Sequence, residues 1–239
     1  MILVPVKDLK NAKQRLAGVL DDDERQAFAE AMLNDVLDAL AHWRNHPPVA
    51  VVTGDGHVRS LARRHHFEVI EDPANHGQTE AIAMATARCL TAGAEFTLVI
   101  PGDVPLVQGW ELQKILDAAP VEGSVLVPAH DRRGTNAAWR KPAGLFPLYF
   151  GNDSFAPHHA AAQASGKPCV VLELAGVGLD VDNPADLRRL LTSPGDTRSQ
   201  RLARAWGLQS VLAHDPEADA KPDPGVAPKV HDRAQGAGE

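Results

Sequence analysis

Short apolar runs alternate with helical stretches from the start of this chain to Leu191, and this alternation most limits the folds that the chain can adopt. Each run is rich in valine, isoleucine or leucine, as is typical of strands buried in a sheet. The predicted strands are Ile2–Val6, Val49–Thr53, Phe67–Ile70, Thr97–Ile100, Ser124–Pro128, Asn136–Arg140 and Cys169–Leu172. Strands that alternate with helices form βαβ units, so we predict one α/β domain with a mostly parallel central sheet and helices on both faces.

The domain is predicted to span residues 1–192, where the alternation ends. Its clearest helix follows the acids of Asp21–Glu24 and carries an apolar stripe at every fourth residue: Phe28, Met32, Val36 and Leu40. Residues 193–213 have the pattern of one marginal helix. Residues 214–239 are rich in proline, aspartate, alanine and glycine, and we expect a disordered tail there because so few apolar groups cannot offset the entropy of ordering.

Charge and cysteine content argue against several classes of function. A formal net charge of −7 disfavours a nucleic-acid groove, although a local basic pocket remains compatible with it. Cys89 and Cys169 fit no zinc-ligand spacing and no disulfide framework, which favours a cytoplasmic location. The run Ile2–Val6 is too short for a signal peptide, and no stretch approaches the length of a membrane span, so we expect no membrane partner.

An acid, Asp103, follows the predicted strand Thr97–Ile100 and stands between Pro101 and Pro105. In open α/β sheets, ligands bind at the carboxyl ends of the strands, so Asp103 is a candidate metal ligand. Capping of a turn or of the next helix explains this single residue equally well.

Two more acids, Asp180 and Asp182, lie in the predicted extended segment Gly178–Asp182. At positions i and i+2 of an extended chain their side chains share one face and can reach one cation. Helix capping is the alternative, but Asn183 already serves as a cap. Together with Asp103, these carboxylates would form an oxygen-rich site that suits Mg²⁺ better than zinc, and we favour the metal interpretation.

A basic segment follows the first strand and carries Lys7, Lys13 and Arg15. Many nucleotide-binding sheets hold phosphates at this place, and these cations could neutralise them. The segment has neither a GxGxxG nor a Walker-type motif. On its own, such a charge run is more often an ordinary solvated loop.

Two further stretches give weaker signals. A predicted helix begins at Ser154, where free N–H groups could bind phosphate or carboxylate, although a simple N-cap is the commoner role for a serine there. Gly77, in the loop that enters the helix at Thr79, would allow a nucleotide base to approach closely. No partner is evident for His158 or His159, so we predict no role for either.

Taken together, these pieces resemble one family, the guanylyltransferases of deazaflavin coenzyme (factor 420) biosynthesis, within the GT-A-type nucleotidyltransferase superfamily. The resemblance covers Met1 to about Leu191. The matching motifs, in chain order, are Pro5-Val6-Lys7, Ala12–Leu16, Pro101–Leu106, Gly134–Ala137, Phe150–Phe155 and Leu179–Pro184.

The resemblance implies a GT-A-like nucleotidyltransferase fold and the transfer of GMP from GTP to a small phosphorylated carboxylic acid, with release of pyrophosphate. It implies a site with four groups of residues. They are the Mg²⁺ ligands Asp103, Asp180 and Asp182; the catalytic, triphosphate-holding Lys7, Lys13 and Arg15; the nucleotide-binding Pro5, Val6, Gly77 and Thr79; and the acceptor-binding Thr135, Gly151 and Ser154.

The sequence departs from the family pattern at one point: Gly77-Gln78-Thr79 stands where the family usually has Gly-Leu-Asn, which removes an amide that could contact the base or ribose. 2-Phospho-L-lactate, phosphoenolpyruvate and 3-phospho-D-glycerate stay open as acceptors, because pocket shape distinguishes them and motif spacing does not. A GT-A-type glycosyltransferase and a non-catalytic nucleotide-binding domain are the alternative functions.

Overall fold

The computed structural model describes residues 1–74, 76–151 and 153–213. Its strands are β1 (Ile2–Pro5), β2 (Val49–Thr53), β3 (Glu68–Glu71), β4 (Thr97–Val99), β5 (Gly123–Pro128), β6 (Thr135–Lys141) and β7 (Cys169–Val171). Its helices are α1 (Asp22–His42), α2 (Gly56–Arg64), α3 (Gln78–Thr91), α4 (Gly109–Asp117), α5 (Phe155–Ala164), α6 (Pro184–Thr192), α7 (Arg198–Ala205) and α8 (Leu208–Ala213). The tail predicted for residues 214–239 lies outside the described residues.

The strands form one sheet in the order β3-β2-β1-β4-β6-β5-β7. Strand β1 pairs in parallel with β2 and with β4, while β6 runs antiparallel to both of its neighbours, β4 and β5. The remaining pairs, β2 with β3 and β5 with β7, are parallel. The predicted mostly parallel sheet is confirmed, and the strand order places the ends of β1 and β4 side by side.

Helices cover both faces of the sheet because successive residues of a strand point to opposite sides. Ile2 and Val4 of β1 pack with residues of α1, α2 and α4 on one face. Leu3 packs with residues of α3 and α5 on the other face. The predicted fold class is therefore confirmed.

Helix α1 begins where its sequence predicts. The Asp21 carboxylate accepts a hydrogen bond from the Glu24 backbone N–H at 2.8 Å, and the Glu24 carboxylate accepts one from the Asp21 N–H at 2.9 Å. This reciprocal cap satisfies two N–H groups that have no partner within the helix. The predicted apolar stripe is fully buried, and each such side chain stabilises the fold by about 2 kcal/mol.

The last two helices pack on the same body as the sheet. In place of the single marginal helix expected over residues 193–213, the structure has α7 and α8, with Leu208 and Leu212 buried. Asp35 of α1 accepts hydrogen bonds from the N–H groups of Arg198 and Ser199, at 2.7 and 3.0 Å, and from Ser199 Oγ at 2.6 Å. This cap comes from a distant helix, so the local sequence pattern could not predict it.

None of the helices within the described part of the chain is both long and apolar enough to cross a membrane.

Candidate active site

The ends of β1, β2 and β4 border a cleft of about 480 Å³. This cleft brings together many of the predicted site residues, namely Pro5, Val6, Lys7, Lys13, Asp103 and Asp182. A Cβ on Gly102 would lie 3.2 Å from Val6 Cγ2, so a glycine there lets the Asp103 loop pack closely against the end of β1. The chain therefore places an acid and a basic segment at one edge of the sheet.

Lys13 connects two of the predicted metal ligands. Its Nζ lies 2.6 Å from Asp103 Oδ2 and 2.7 Å from Asp182 Oδ1, and only 7% of its side chain is exposed. Burial alone would lower the pKa of Lys13, but the two carboxylates outweigh that effect and raise it. The Lys13 ammonium in turn lowers the pKa of Asp182, so both groups are charged at neutral pH.

Asp180 lies beside this pair but binds a different partner. Asn136 Nδ2 donates hydrogen bonds to Asp180 Oδ1 and to the Val177 carbonyl, each at 3.0 Å. Burial, and then the nearby Asp103 carboxylate, raise the pKa of Asp180 to about 7. The two carboxylates repel each other, so a cation bound near them would be stabilised.

Residues 178–182 were expected to be a short extended piece, and the structure has a loop there that forms no strand. One backbone bond, from Val181 N–H to the Asp103 carbonyl at 3.2 Å, joins this loop to the end of β4. Asn183 caps α6 as predicted, by accepting from the N–H groups of Ala185 and Asp186. The two preceding aspartates are therefore not needed as caps.

The three aspartates supply the hard oxygen donors that a divalent cation prefers. Within the described ranges, no three His, Cys, Asp or Glu side chains are grouped as a ready metal centre. The Lys13 ammonium instead lies between Asp103 and Asp182 and balances their charge. These oxygen donors fit Mg²⁺. For Mg²⁺ to bind, the Lys13 ammonium has to move away or to share the aspartate carboxylates with the metal.

The other two predicted cations lie around the cleft. Lys7 is exposed on its wall, and its Nζ would be 3.9 Å from a Cβ placed on Gly77, so it faces the loop that begins α3. Arg15 lies in a short 3₁₀ turn after Lys13, and its charge contributes to lowering the pKa of Asp182.

Thr79 lies in the first turn of α3, but its hydroxyl is turned to the backbone of Phe150. The Phe150 N–H donates to Thr79 Oγ1 at 2.9 Å, and Thr79 Oγ1 donates to the Phe150 carbonyl at 3.3 Å. Gln78, between Gly77 and Thr79, lines the cleft, while the Thr79 side chain reaches the segment that precedes Gly151.

Thr135 and Ser154 form a second polar cluster at the start of α5. The alternative role of Ser154 as an N-cap is wrong: its hydroxyl makes no cap bond and instead accepts from the Thr135 N–H at 3.1 Å. Both residues are buried, whereas Gly151 is exposed with open space around it. The structure thus groups Thr135 with Ser154.

His158, for which the sequence predicts no role, completes this second cluster. Its Nε2 accepts from the Tyr149 N–H at 2.8 Å, so in the neutral ring Nδ1 carries the proton and donates to Thr135 Oγ1 at 2.8 Å. Its position one helical turn after Ser154 is the one sequence signal that could have indicated this contact.

Protonation of His158 should destabilise the fold in acid. Burial, and then the positive charge of Arg140, lower the pKa of this imidazole to about 4. Since the unfolded pKa is about 6.5, its stabilising effect is fully present above pH 6.5 and is lost as the pH falls through 4, a change of about 3 kcal/mol. Denaturant unfolding of wild type and His158→Gln from pH 7 to 4 measures this loss of stability. His159→Gln, on the same helix, is the control, and equal pH slopes in wild type and His158→Gln would contradict the prediction.

With this geometry established, comparison with known proteins identifies the family. Residues 1–221 match the family described as "Guanylyl transferase CofC like". The chain belongs to this family. It is therefore a nucleotidyltransferase enzyme of the guanylyltransferase type.

Curated relatives agree with this assignment. A phosphoenolpyruvate guanylyltransferase of Roseiflexus sp. (strain RS-1) is 38% identical over 208 residues, which cover 85% of this chain and 90% of that protein. The enzyme of the same name from Sphaerobacter thermophilus is 35% identical, over 79% of this chain and 90% of that protein. A 3-phospho-D-glycerate guanylyltransferase of Colwellia psychrerythraea is 30% identical, over 85% and 97%.

Solved structures share the fold of this guanylyltransferase. A protein of Desulfovibrio desulfuricans assigned to the nucleotide-diphospho-sugar transferases has a TM-score of 0.72 at 18% identity, covering 88% of this chain and 96% of that one. A 4-diphosphocytidyl-2C-methyl-D-erythritol synthase has a TM-score of 0.54 at 16% identity, over 80% and 97%. At these identities the likeness concerns the fold alone.

Proposed function

We propose that this enzyme transfers GMP from GTP to the phosphate of a small phosphorylated carboxylic acid and releases pyrophosphate, as a step of deazaflavin coenzyme (factor 420) biosynthesis. One observation supports this best: Asp103, Asp182 and Lys13 meet in a cleft at the ends of β1 and β4, with Asp180 beside them. This arrangement combines metal-binding oxygens with cations that suit a triphosphate.

Phosphoenolpyruvate is the first acceptor to test. The relatives named for it reach 38% identity to this chain, against 30% for the relative named for 3-phospho-D-glycerate. The third candidate, 2-phospho-L-lactate, is implied by the sequence resemblance. We place the enzyme in the cytoplasm, which is supported by the free thiols of Cys89 and Cys169.

Asp103, Asp180 and Asp182 are the residues that we propose to hold Mg²⁺. When bound, Mg²⁺ would neutralise negative charge on the phosphate oxygens of the triphosphate and so make the α-phosphorus more reactive toward a nucleophile. This chain's own part is to fix the three carboxylates. Asn136 donates to the Asp180 carboxylate, and Lys13 donates to those of Asp103 and Asp182. The Val181 N–H also holds the Asp103 backbone.

The reaction needs no nucleophile from the protein, because the phosphate of the acceptor is already ionised. One of its oxygens forms a bond to the α-phosphorus of GTP, and the bond from that phosphorus to the bridging oxygen breaks. Pyrophosphate leaves with the electron pair. Lys7, Lys13 and Arg15 would stabilise the charge that develops on this leaving group.

The two substrates would bind to different groups of residues. We assign the nucleotide to Pro5, Val6, Gly77 and Thr79, with the Thr79 contact made through the N–H groups that begin α3. We assign the acceptor to Thr135 and Ser154, the cluster at the start of α5, and to the exposed Gly151.

A substrate panel tests this function. The purified enzyme is incubated with Mg²⁺, each of the four nucleoside triphosphates and each of the three phosphorylated acids, and pyrophosphate is followed. We expect pyrophosphate with GTP and phosphoenolpyruvate, loss of the signal with EDTA, and a product heavier than the acceptor by one guanylyl unit. Absence of pyrophosphate from every pair would favour a non-catalytic nucleotide-binding domain instead.

A further inference from the structure

The backbone of Tyr149 and Phe150, directly before Gly151, is held from two sides. From α3, the Thr79 hydroxyl accepts from the Phe150 N–H at 2.9 Å and donates to the Phe150 carbonyl at 3.3 Å. From α5, His158 Nε2 accepts from the Tyr149 N–H at 2.8 Å, and the Phe150 ring packs edge-on against the imidazole at 5.3 Å. We call this set of contacts the backbone clamp.

Each side of the backbone clamp also touches one part of the proposed site. Thr79 lies two residues after Gly77, which faces Lys7 and is assigned to the nucleotide. His158 donates from Nδ1 to Thr135 Oγ1 at 2.8 Å, and Thr135 is one of the three residues assigned to the acceptor. The clamp therefore joins α3, the segment before Gly151 and the acceptor cluster.

The hydrogen bonds that the Thr79 hydroxyl already makes leave the side chain with little capacity to bind a nucleotide. Its one hydroxyl proton is directed to the Phe150 carbonyl, so it is not available to the base or ribose of GTP. The same reasoning applies to His158, whose two ring nitrogens both have protein partners. Neither side chain is a candidate for chemistry at the reacting atoms.

We propose that Thr79 and His158 are positioning residues for the acceptor: through the Tyr149–Phe150 backbone they fix Gly151 relative to Thr135 and Ser154. This inference rests on the proposed function, since it assumes that these three residues bind the acceptor. It assigns the Thr79 side chain to acceptor binding, although Thr79 is among the residues assigned to the nucleotide.

Thr79→Val tests the proposal, because valine has nearly the same shape but lacks the hydroxyl. Loss of two partly buried hydrogen bonds should raise KM for phosphoenolpyruvate about tenfold, with KM for GTP changed less than about twofold. Thr79→Ser keeps the hydroxyl and should restore the KM for phosphoenolpyruvate. The matched control is Thr91→Val, which removes an exposed hydroxyl that donates to the Ala87 carbonyl of the same helix and should leave both KM values unchanged. A rise in KM for GTP alone, or no change in either KM, would overturn the proposal.

A second measurement does not depend on turnover. Tyr149 is the only tyrosine in the chain, so protein labelled with 3-fluorotyrosine gives one ¹⁹F signal at the clamp. We expect this signal to shift in Thr79→Val and His158→Gln, to stay unchanged in Thr79→Ser, and to move when phosphoenolpyruvate is added to wild type.

If no substrate pair gives pyrophosphate, the proposed function fails. A signal unchanged in both Thr79→Val and His158→Gln overturns the clamp even if transfer is normal. A signal that does not change when phosphoenolpyruvate is added overturns the link between the backbone clamp and the acceptor.

Discussion

Replacing Asp103 by asparagine should lower the rate of GMP transfer about a thousandfold and leave the fold intact. Asparagine keeps the size of the side chain but removes the charge that, with Asp180 and Asp182, would hold Mg²⁺. The fold should survive because Lys13 keeps its 2.7 Å contact with Asp182, and because the Val181 bond to residue 103 uses a backbone carbonyl. Pyrophosphate release at saturating GTP and phosphoenolpyruvate measures the rate, and thermal unfolding checks the fold.

Asp117→Asn is the matched control for this experiment. Asp117 lies at the end of α4, away from the cleft, and accepts one hydrogen bond from Gln113. It should keep wild-type activity. A near-normal rate for the Asp103 variant would show that this carboxylate is not a metal ligand.

Replacing Lys13 by methionine should have two effects. Turnover should fall about a hundredfold, because the leaving pyrophosphate loses a cation. Without divalent cations, the free energy of unfolding should also fall by about 2 kcal/mol, since Asp103 and Asp182 lose the ammonium between them. This is less than for a fully buried pair, because those two side chains are 31% and 44% exposed.

Added Mg²⁺ should restore stability to the Lys13 variant more than to wild type, since the cation can take the place of the lost ammonium. Denaturant unfolding with MgCl₂ or with EDTA measures this difference. Lys10→Met, in the same basic segment but exposed, is the control and should respond to Mg²⁺ like wild type. An equal response of the Lys13 variant and wild type would refute the idea that Lys13 and a metal compete for one place.

Local sequence pattern predicted the elements of this fold well. The stripe from Phe28 to Leu40 and the cap at Asn183 depend on neighbours a few residues apart, and both appear as expected. The apolar runs correctly indicated strands, because a short run bounded by turn residues has few other places in a globular protein. The strand order and the antiparallel direction of β6 come from the structure, because they depend on pairings between distant parts of the chain.

The site was predictable only as separate motifs. Asp103 was a candidate from its place after a predicted strand, and Asp182 from its place in a predicted extended segment. The Lys13 contacts that join them span 90 and 169 positions in the chain. Such a contact depends on tertiary packing and produces no periodic pattern in the sequence. The same holds for Thr79, whose partner Phe150 is 71 positions away.

Asp35 shows why this enzyme should not be shortened to residue 192. Its carboxylate lies within the protein, 8% exposed, and accepts hydrogen bonds from Arg198 and Ser199 of α7. Truncation would remove these bonds and would also expose the apolar side chains of α1 and α6 that pack with Leu208 and Leu212, at a cost of about 2 kcal/mol for each side chain left in water. A boundary drawn where the alternation of strands and helices ends would therefore divide one apolar cluster, and we expect a fragment that keeps α7 and α8 to be more stable than one that ends at residue 192.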